Sequence, residues 1–199
     1  MKIWNYHIQT YQNLKFTNNM FYNNEELNNL GLKSFGENVL ISKKASLYGI
    51  KNIEIGSNVR IDDFCILSAG EGGIKIGNYV HIACYAHLIG AGRIIVEDHA
   101  QISGKVSIYS SSDDFSGEYL IGPTVPKDFT NVRNLTVHLK KYVILGCNTV
   151  VLPGVTINEG TAIGALSLVS KSLPEYGIYG GNPLKFLKER TKGMLKYEI

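Results

Sequence analysis

The stretch IGNYVHIACYAHLIGAGRIIVEDHAQISGKVSI, residues 76–108, has a large apolar residue at every sixth position, with one short break. The same step occurs before and after it, and it gives six triplets in which all 18 positions are apolar. The triplets are Phe35, Ile41 and Leu47; Ile55, Ile61 and Leu67; Ile76, Ile82 and Leu88; Val96, Ile102 and Ile108; Leu139, Leu145 and Val151; and Ile157, Ile163 and Val169. An amphipathic helix would drift out of a strict six-residue step, because its faces repeat every 3.6 residues. The repeat therefore predicts short strands that each point one large side chain inward.

The fourth residue after the repeat positions is also restricted in size. It is small or β-branched at Val39, Ala45, Val59, Cys65, Val80, Ala86, Ala100, Val106, Val143, Thr149, Val155, Thr161 and Ser167. A large inward residue followed by a small corner residue suits one side of a triangular coil. Extra residues after Leu47, Leu67 and Leu88 fall once per coil, so they lie along one edge of the prism. Stacked coils cover each other's open edges, as in other solenoids, and the sequence thus predicts an all-β solenoid.

Residues 1–34 precede the repeat and lack its period. Asn24-Glu25-Glu26-Leu27, followed by Gly31, predicts a short capped helix. We expect residues 1–19 to be a disordered extension, with Met20 as a possible natural start. The N-terminal extension and helical cap are therefore predicted to end at residue 34.

The repeat region is predicted to span residues 35–175, and residues 176–199 form a separate C-terminal segment. Within that segment Asn182 suits the N-cap and Pro183 the first position of a helix. Leu184, Leu187, Thr191 and Leu195 would give this predicted C-terminal helix its inward stripe.

The six-residue step disappears between Ile108 and Leu139, which predicts a protruding loop at residues 109–136. A loop of this length in a compact repeat protein is usually functional. Its charged and aromatic residues include Asp113, Asp114, Glu118, Tyr119 and Arg133.

Three segments resemble the coil and closing motifs of the hexapeptide-repeat acyltransferases: IGNYVHIA (76–83), ILGCNTVVLPGVTINEGTAIGALSLVSKSLP (144–174) and YGGNPLK (179–185). The resemblance covers residues 35–190 and implies a left-handed parallel β-helix. SIYSSSDDFSGEYLIGPTVP (107–126) looks like bacterial acyltransferases of surface-polysaccharide (O-antigen) pathways. Those relatives modify nucleotide-linked deoxyamino sugars or O-antigen sugars.

The resemblance implies a homotrimer with one site in each cleft between prisms, where the loop of one subunit reaches its neighbour. It also implies transfer of an acetyl group from acetyl-CoA to the amino group of a dTDP- or UDP-linked dideoxy sugar. O-Acetylation of a sugar hydroxyl, of the galactoside, maltose or O-antigen type, is the alternative. A zinc hydratase and a non-catalytic scaffold remain further alternatives on the same fold. Zinc would need three converging histidines, and His81 and His87 are six residues apart and thus expected on different faces.

The sugar acetyltransferases of this class place a catalytic histidine early in the loop, and Asp113 stands there instead, followed by Asp114. A carboxylate with an ordinary pKa is a weak base near neutrality, whereas a neutral amine needs little more than a proton sink. This substitution favours N-acylation. By resemblance His81 lies beside the acceptor, so His81, Asp113 and Asp114 are the catalytic candidates. The substrate-binding candidates are His138, Glu118 and Tyr119.

The coenzyme is expected along the last coils, where the class binds pantetheine through backbone groups. The matching positions are Gly146, Cys147, Ala165, Ser170 and Lys171. Lys185 and Lys188 match the basic positions that meet the nucleotide phosphates, since lysines bind multiply charged phosphate groups.

Composition adds several expected absences. The net charge of the 199-residue chain is only +3, which gives no reason to expect nucleic acid. No apolar stretch approaches the ~20 residues that span a bilayer, and the N-terminus lacks a convincing secretory signal. The three cysteines include no CxxC pair, which argues against a disulfide framework or zinc cluster and suits the cytoplasm. We expect a cytoplasmic protein with no membrane insertion and no metal.

Overall fold

The computed structural model describes residues 20–197, which wind into a left-handed parallel β-helix of about seven turns. Each turn contributes one short strand to each of three flat faces, and the strands of successive turns pair in parallel, except for the C-terminal strand, which pairs antiparallel. The predicted all-β solenoid is therefore confirmed. Nothing is described for residues 1–19, so the expectation for that extension lies outside the described residues.

The strands are numbered in chain order. The first face stacks β1 (Ser34–Phe35), β4 (Ile53–Ile55), β7 (Ile74–Ile76), β10 (Ile94–Val96), β15 (Val137–Leu139) and β18 (Thr156–Ile157). The second face stacks β2 (Leu40–Ile41), β5 (Arg60–Ile61), β8 (His81–Ile82), β11 (Gln101–Ile102), β16 (Ile144–Leu145), β19 (Ala162–Ile163), β21 (Gly177–Gly180) and β22 (Lys185–Glu189). The third face stacks β3 (Ser46–Tyr48), β6 (Ile66–Ala69), β9 (His87–Gly90), β12 (Ser107–Tyr109), β17 (Val150–Val151) and β20 (Leu168–Val169).

The core is one column of inward side chains along the prism axis. All 18 repeat positions lie on these strands, and all are buried except Phe35 and Leu47, which are half-buried in the first turn. Helix α1 (Asn24–Asn29) packs Leu27 against this column. Its capping box joins Asn23 and Glu26, which confirms the predicted short capped helix.

Two of the three corners use a left-handed backbone. The first corner, between the first and second faces, has positive φ at Asn38, Asn58, Tyr79, His99 and Tyr142. The second corner, between the second and third faces, has it at Phe64, Tyr85, Lys105, Asn148 and Leu166. The third corner joins the third face back to the first, and the predicted loop leaves the prism there, after β12.

The predicted C-terminal helix is wrong. Residues Lys185–Glu189 form β22, which pairs antiparallel with β21, and the remaining helical element is a 3-10 turn at Gly193–Lys196. The physical reason is the outer edge of β21, where the second sheet would otherwise end with unpaired backbone groups. Arg190 then fixes the segment, because its Nη1 donates to the carbonyl oxygens of Tyr142 and Gly160, at 2.8 Å each.

A pair of neighbouring residues on β7 tests the alternation between core and surface. Ile76 is buried, whereas Lys75 is exposed. We expect Ile76→Ala to lower the free energy of unfolding by about 2–5 kcal/mol, because it removes buried methyl groups and leaves a cavity. Lys75→Ala is the matched control and should change it by less than about 0.5 kcal/mol. Denaturant unfolding measures both, and equal losses would contradict the assigned register.

Candidate active site

The neck of the loop is a two-stranded ribbon held by serine hydroxyls. It consists of β13 (Ser111–Ser112) and β14 (Arg133–Asn134), which pair antiparallel. The Ser111 hydroxyl accepts from the amide of Ala91 at 2.7 Å and lies 2.6 Å from Oδ1 of Asn134. The buried Ser110 hydroxyl donates to the carbonyl of Gly92 at 2.8 Å. The prism thereby fixes the residue that follows β13, which is Asp113.

Asp113 and Asp114 have different surroundings. Asp113 is exposed and lies at the boundary of two hollows of about 520 Å³ and about 280 Å³. The larger hollow is lined by Ile89, Ser111, Ser112, Asp113, Gly122, Pro123, Val125, Lys127, Thr130 and Val132. Asp114 instead accepts hydrogen bonds from the hydroxyl and amide of Ser116, at 2.7 and 3.0 Å, and from the amide of Gly117 at 3.1 Å.

Those hydrogen bonds, chiefly from the Ser116 hydroxyl, hold the pKa of Asp114 below its ordinary value. Its carboxylate therefore organises a turn of the loop. Both aspartates line the smaller hollow, and Asp113 also lines the larger one. Glu118 and Tyr119 lie further along the loop, and both are exposed and outside the lining of either hollow.

His81 belongs to an ion cluster on the second face. Its Nε2 lies 2.8 Å from Oδ2 of Asp62, and Nε of Arg60 donates to Oδ1 of Asp62 at 2.6 Å. Burial by itself would raise the pKa of the Asp62 carboxyl, but the hydrogen bonds from His81 and Arg60 and their charges hold it below its ordinary value. The cluster fixes the orientation of the His81 ring, whose side chain remains 43% exposed.

His138 lies on the first face, on β15, away from the hollows of the loop. Its Nε2 lies 2.7 Å from Oε1 of Glu97, and Lys140 Nζ lies 3.2 Å from the same oxygen. Partial burial would raise the pKa of Glu97, yet Lys140 and His138 keep it below its ordinary value. The structure thus does not bring His138 together with Asp113, and it presents His138 as part of an ion cluster.

A strip of small residues runs along the second corner, and we call it the small-residue strip. It comprises Ala83, Cys84, Ser103, Gly104, Gly146, Cys147, Gly164, Ala165 and Gly180. Coil-to-coil hydrogen bonds align it, as from the amide of Ser103 to the carbonyl of Leu145. At Gly164 an added Cβ would meet nothing closer than 3.5 Å, so the prism does not require glycine there. The bare surface is available to a ligand.

The strip unites three of the predicted coenzyme positions, Gly146, Cys147 and Ala165. It ends near Lys185, which pairs with Gly180 between β21 and β22, whereas Lys188 pairs with Ile178 further along. Both lysines are exposed. Ser170 and Lys171 are also exposed but follow β20, at the third corner, and so lie on a different edge of the prism.

Sequence reasoning missed Ser103, which lies in the small-residue strip. The signal was present, because the residue after the repeat position on the second face is Ala83, Ser103, Gly146 and Gly164 in successive coils. At Gly146 the fold itself requires glycine, because an added Cβ would lie 2.5 Å from the amide nitrogen of Ala165, whereas Gly164 has no such contact.

His81 and His87 lie on different faces, on β8 and β9. Within residues 20–197, no group of three histidine, cysteine or acidic side chains is arranged to hold a metal ion. In that same part of the chain, no helix is both long and apolar enough to cross a bilayer.

Comparison with known proteins gives clear relatives, although no protein-family model matches. The chain is 51% identical over 173 residues to a dTDP-4-amino-4,6-dideoxy-D-glucose acyltransferase of Escherichia coli, across 87% of this chain and 90% of that protein. It is 30% identical over 146 residues to a putative lipopolysaccharide biosynthesis O-acetyl transferase of Escherichia coli, across 70% and 69% of the two chains.

Among solved structures, the chain resembles AntD, an N-acyltransferase from Bacillus cereus. With a serine variant of AntD bound to dTDP-4-amino-4,6-dideoxyglucose and coenzyme A, the TM-score is 0.86 and the identity 47%, over 89% of this chain and 95% of AntD. Another AntD structure contains dTDP and 3-hydroxybutyryl-CoA. In further AntD structures, the substituted residue is an aspartate that lies ten positions after that serine. Ser103 and Asp113 are the one serine and aspartate with this spacing in the present sequence.

The Asp62 cluster predicts a pH dependence of stability. A carboxyl whose pKa is lowered in the folded state stabilises the fold above its unfolded pKa, and this contribution is lost as the pH falls. We expect Asp62→Asn to lower the free energy of unfolding at pH 7 by about 1–2 kcal/mol, and this difference should shrink as the pH falls below about 4. Urea unfolding from pH 7 downward measures it, with Asp128→Asn in the exposed loop as control. A difference that does not shrink as the pH falls would contradict the argument.

Proposed function

The chain belongs to the acyltransferase family that includes the dTDP-4-amino-4,6-dideoxy-D-glucose acyltransferase of Escherichia coli, and from this we propose its reaction. It transfers an acetyl group from acetyl-CoA to the amino group of a dTDP-linked aminodideoxy sugar in surface-polysaccharide biosynthesis. The observation that carries the proposal is 51% identity over nine-tenths of a relative named for that sugar. The sugar nucleotide and coenzyme A held by AntD support the same pair of substrates.

The small-residue strip is the proposed path of the pantetheine arm. Its small side chains let an extended ligand lie close to the backbone of the prism. At Gly164 an added Cβ would meet no atom closer than 3.5 Å, so the absence of a side chain there leaves space for the ligand. Lys185, at the C-terminal end of the strip, is placed to meet the nucleotide phosphates of the coenzyme. Lys188, Ser170 and Lys171 lie further away, and we propose that they contribute charge or polar contacts around the adenosine end.

The chemistry requires one new C–N bond and the loss of one C–S bond. The neutral amine of the sugar attacks the thioester carbonyl carbon, and the tetrahedral intermediate collapses with release of the coenzyme A thiolate. We propose that Asp113 accepts a hydrogen bond from the attacking amine and Ser103 contacts the same amine, so that its lone pair points at the carbonyl. The proton released from nitrogen is taken up by the departing thiolate. No strong protein base is needed, which fits the absence of histidine at the loop position.

The placement of Ser103 and Asp113 supports a site shared between subunits. Ser103 lies at the second corner, whereas the loop with Asp113 leaves the third corner of the same prism. Both can meet one substrate when the loop of one subunit reaches the second corner of the next. The loop exposes apolar side chains suited to such a contact: Phe115, Leu120, Ile121, Phe129, Val132 and Leu135. We therefore propose the homotrimer with three intersubunit sites, in which Glu118 and Tyr119 face the acceptor.

His81 has a supporting role in this proposal. It lies one coil before Ser103 on the second face, where its hydrogen bond to Asp62 holds the ring in place. We propose that His81 contacts the acceptor, and that the Asp114 turn orders the loop. His138 retains a proposed contact with the bound substrate from the first face of a neighbouring subunit.

O-Acetylation of a sugar hydroxyl is the second candidate. It is favoured by the 30% identity to the putative lipopolysaccharide biosynthesis O-acetyl transferase. The three free cysteines suit the reducing cytoplasm, which we propose as the site of either reaction.

A product analysis separates the two candidates. The purified protein is incubated with acetyl-CoA and dTDP-4-amino-4,6-dideoxyglucose, and thiol release and product mass are followed. We expect acetylation that survives alkaline hydroxylamine, because amides resist it and oxygen esters do not. A hydroxylamine-labile product would favour O-acetylation, and no turnover with this sugar nucleotide would overturn the proposed acceptor.

Mixed oligomers test the shared site. We expect Ser103→Ala and Asp113→Ala each to lower kcat/KM by about tenfold or more, since each removes a positioning contact. Co-expressed mixtures of the two variants should regain activity, because one cleft in a mixed trimer combines the intact Ser103 with the intact Asp113. Asp114→Ala mixed with Asp113→Ala is the control, since both residues belong to one loop and cannot complement. Lack of recovery in the first mixture would contradict the intersubunit site.

A further inference from the structure

We propose that Arg190 is a positioning residue for the coenzyme, because it locks β22 onto the prism and thereby holds Lys185 at the end of the small-residue strip. This inference rests on the proposed function, since it concerns how the phosphate end of the coenzyme site is completed. The Arg190 side chain contacts the first corner, whereas Lys185 lies at the second, so Arg190 acts through the strand between them.

The contacts of β22 itself hold it only weakly. It is the last strand of the second sheet and pairs antiparallel with β21, with a shift of register between Ile178 and Tyr179. All five of its residues are exposed. An edge contact between the rings of Tyr179 and Phe186, with centroids 5.5 Å apart, joins it to the core. A strand with little buried apolar surface and exposed backbone hydrogen bonds opens easily, so β22 needs a further attachment.

Arg190 supplies that attachment at the first corner. Its Nη1 donates to the carbonyl oxygens of Tyr142 and Gly160 at 2.8 Å each, and its backbone amide donates to the carbonyl of Tyr176 at 2.7 Å. These three acceptors lie on the first corner in three successive coils. Hydrogen bonds from a charged donor are stronger than neutral ones, and this donor is half-buried, so water competes with it poorly.

The chain beyond Arg190 is held at the same corner. Nζ of Lys192 lies 4.1 Å from the centroid of the Tyr176 ring, which is a cation–π contact. The Tyr176 hydroxyl donates to Oε1 of Glu159 at 2.6 Å and thereby fixes the ring that receives Lys192. Four residue steps of about 3.3 Å, roughly 13 Å in all, carry β22 from this corner to Lys185. The position of Lys185 is therefore set by an attachment at the opposite end of the strand.

A fixed strand matters because Lys185 carries a point charge on a long flexible stem. Lys185 is exposed and pairs with Gly180 in the ladder between β22 and β21. While β22 stays on β21, the ammonium is confined near the end of the strip, and it loses little entropy on meeting a phosphate. The strip residues from Ala83 to Ala165 belong to earlier coils and keep their places without β22. Loss of the Arg190 contacts should therefore weaken coenzyme binding and leave the prism intact.

Calorimetric titration of coenzyme A into the intact protein tests this role. Arg190→Gln removes the charged donor, and we expect Kd for coenzyme A to rise about fivefold or more. Arg190→Lys keeps a charged donor at that place and should recover part of the loss. Arg93→Gln makes the same change at an exposed position next to β10, and this matched control should leave Kd unchanged within about twofold.

A double-mutant cycle shows whether Arg190 acts through Lys185. Lys185→Gln should raise Kd for coenzyme A by a factor similar to that of Arg190→Gln. In the Lys185→Gln background, Arg190→Gln should add less than about twofold, because the charge that it positions is already gone. A general loss of structure would instead weaken binding by the same factor in both backgrounds. In steady-state assays Arg190→Gln should raise KM for acetyl-CoA, with kcat changed by less than about threefold.

Hydrogen exchange of the wild type provides a measurement that needs no variant. Coenzyme A should slow the exchange of the backbone amides of Lys185–Glu189 and of Arg190, because a bound phosphate holds β22 on β21. The amides of β2, in the first coil, should exchange equally fast with and without the coenzyme. Unchanged exchange in β22 at saturating coenzyme A would overturn the positioning role, even where Arg190→Gln does not fold.

The outcomes separate failure of this role from failure of the proposed function. If the wild type does not bind coenzyme A, the proposed function is wrong and the positioning role with it. If the wild type binds coenzyme A and Arg190→Gln binds it equally well, the positioning role is wrong while the proposed reaction stands. Equal losses with and without Lys185 would also overturn it, because Arg190 would then act on stability and not through the lysine.

Discussion

Hydrogen bonding between the backbones of successive coils is the constraint on which the rest of the structure depends. Each short strand makes its ladder with the strands of the coils before and after it, as β11 does with β8 and β16. Two-residue strands are not stable by themselves. The β-helix is therefore stabilised by the stacking of its coils and by one large buried side chain per strand. Residues at equivalent places in successive coils are therefore held in straight rows, and every site on this surface is built from such rows.

This row geometry explains why the sequence predicts the prism and much of the strip but not the ends. Ile102 and its equivalents repeat because each must fill the same space, so their spacing reveals the fold without reference to any relative. The C-terminal segment has no such repeat. Asn182 and Pro183 are local signals for a helix start, and the unpaired edge of β21 outweighs them because pairing with β22 satisfies a whole row of backbone groups.

The same limit applies to the candidate site. The resemblance to the hexapeptide-repeat acyltransferases predicts Gly146, Cys147 and Ala165 as coenzyme positions, and the structure aligns them in one strip. The relation between His81 and Asp62 depends on the register of β5 and β8, which brings residues 19 positions apart into contact. The loop obeys no repeat, so the different surroundings of Asp113 and Asp114 required the three-dimensional structure.

The loop also leaves the prism without interrupting its ladders. β10 pairs with β15 and β12 with β17, although about thirty residues of loop intervene, and the coils before and after it stack as any other two do. The architecture is therefore modular in a literal sense. The β-helix can keep its structure while the loop is lengthened, shortened or exchanged. The choice of acceptor can therefore change without a change in the stability of the β-helix.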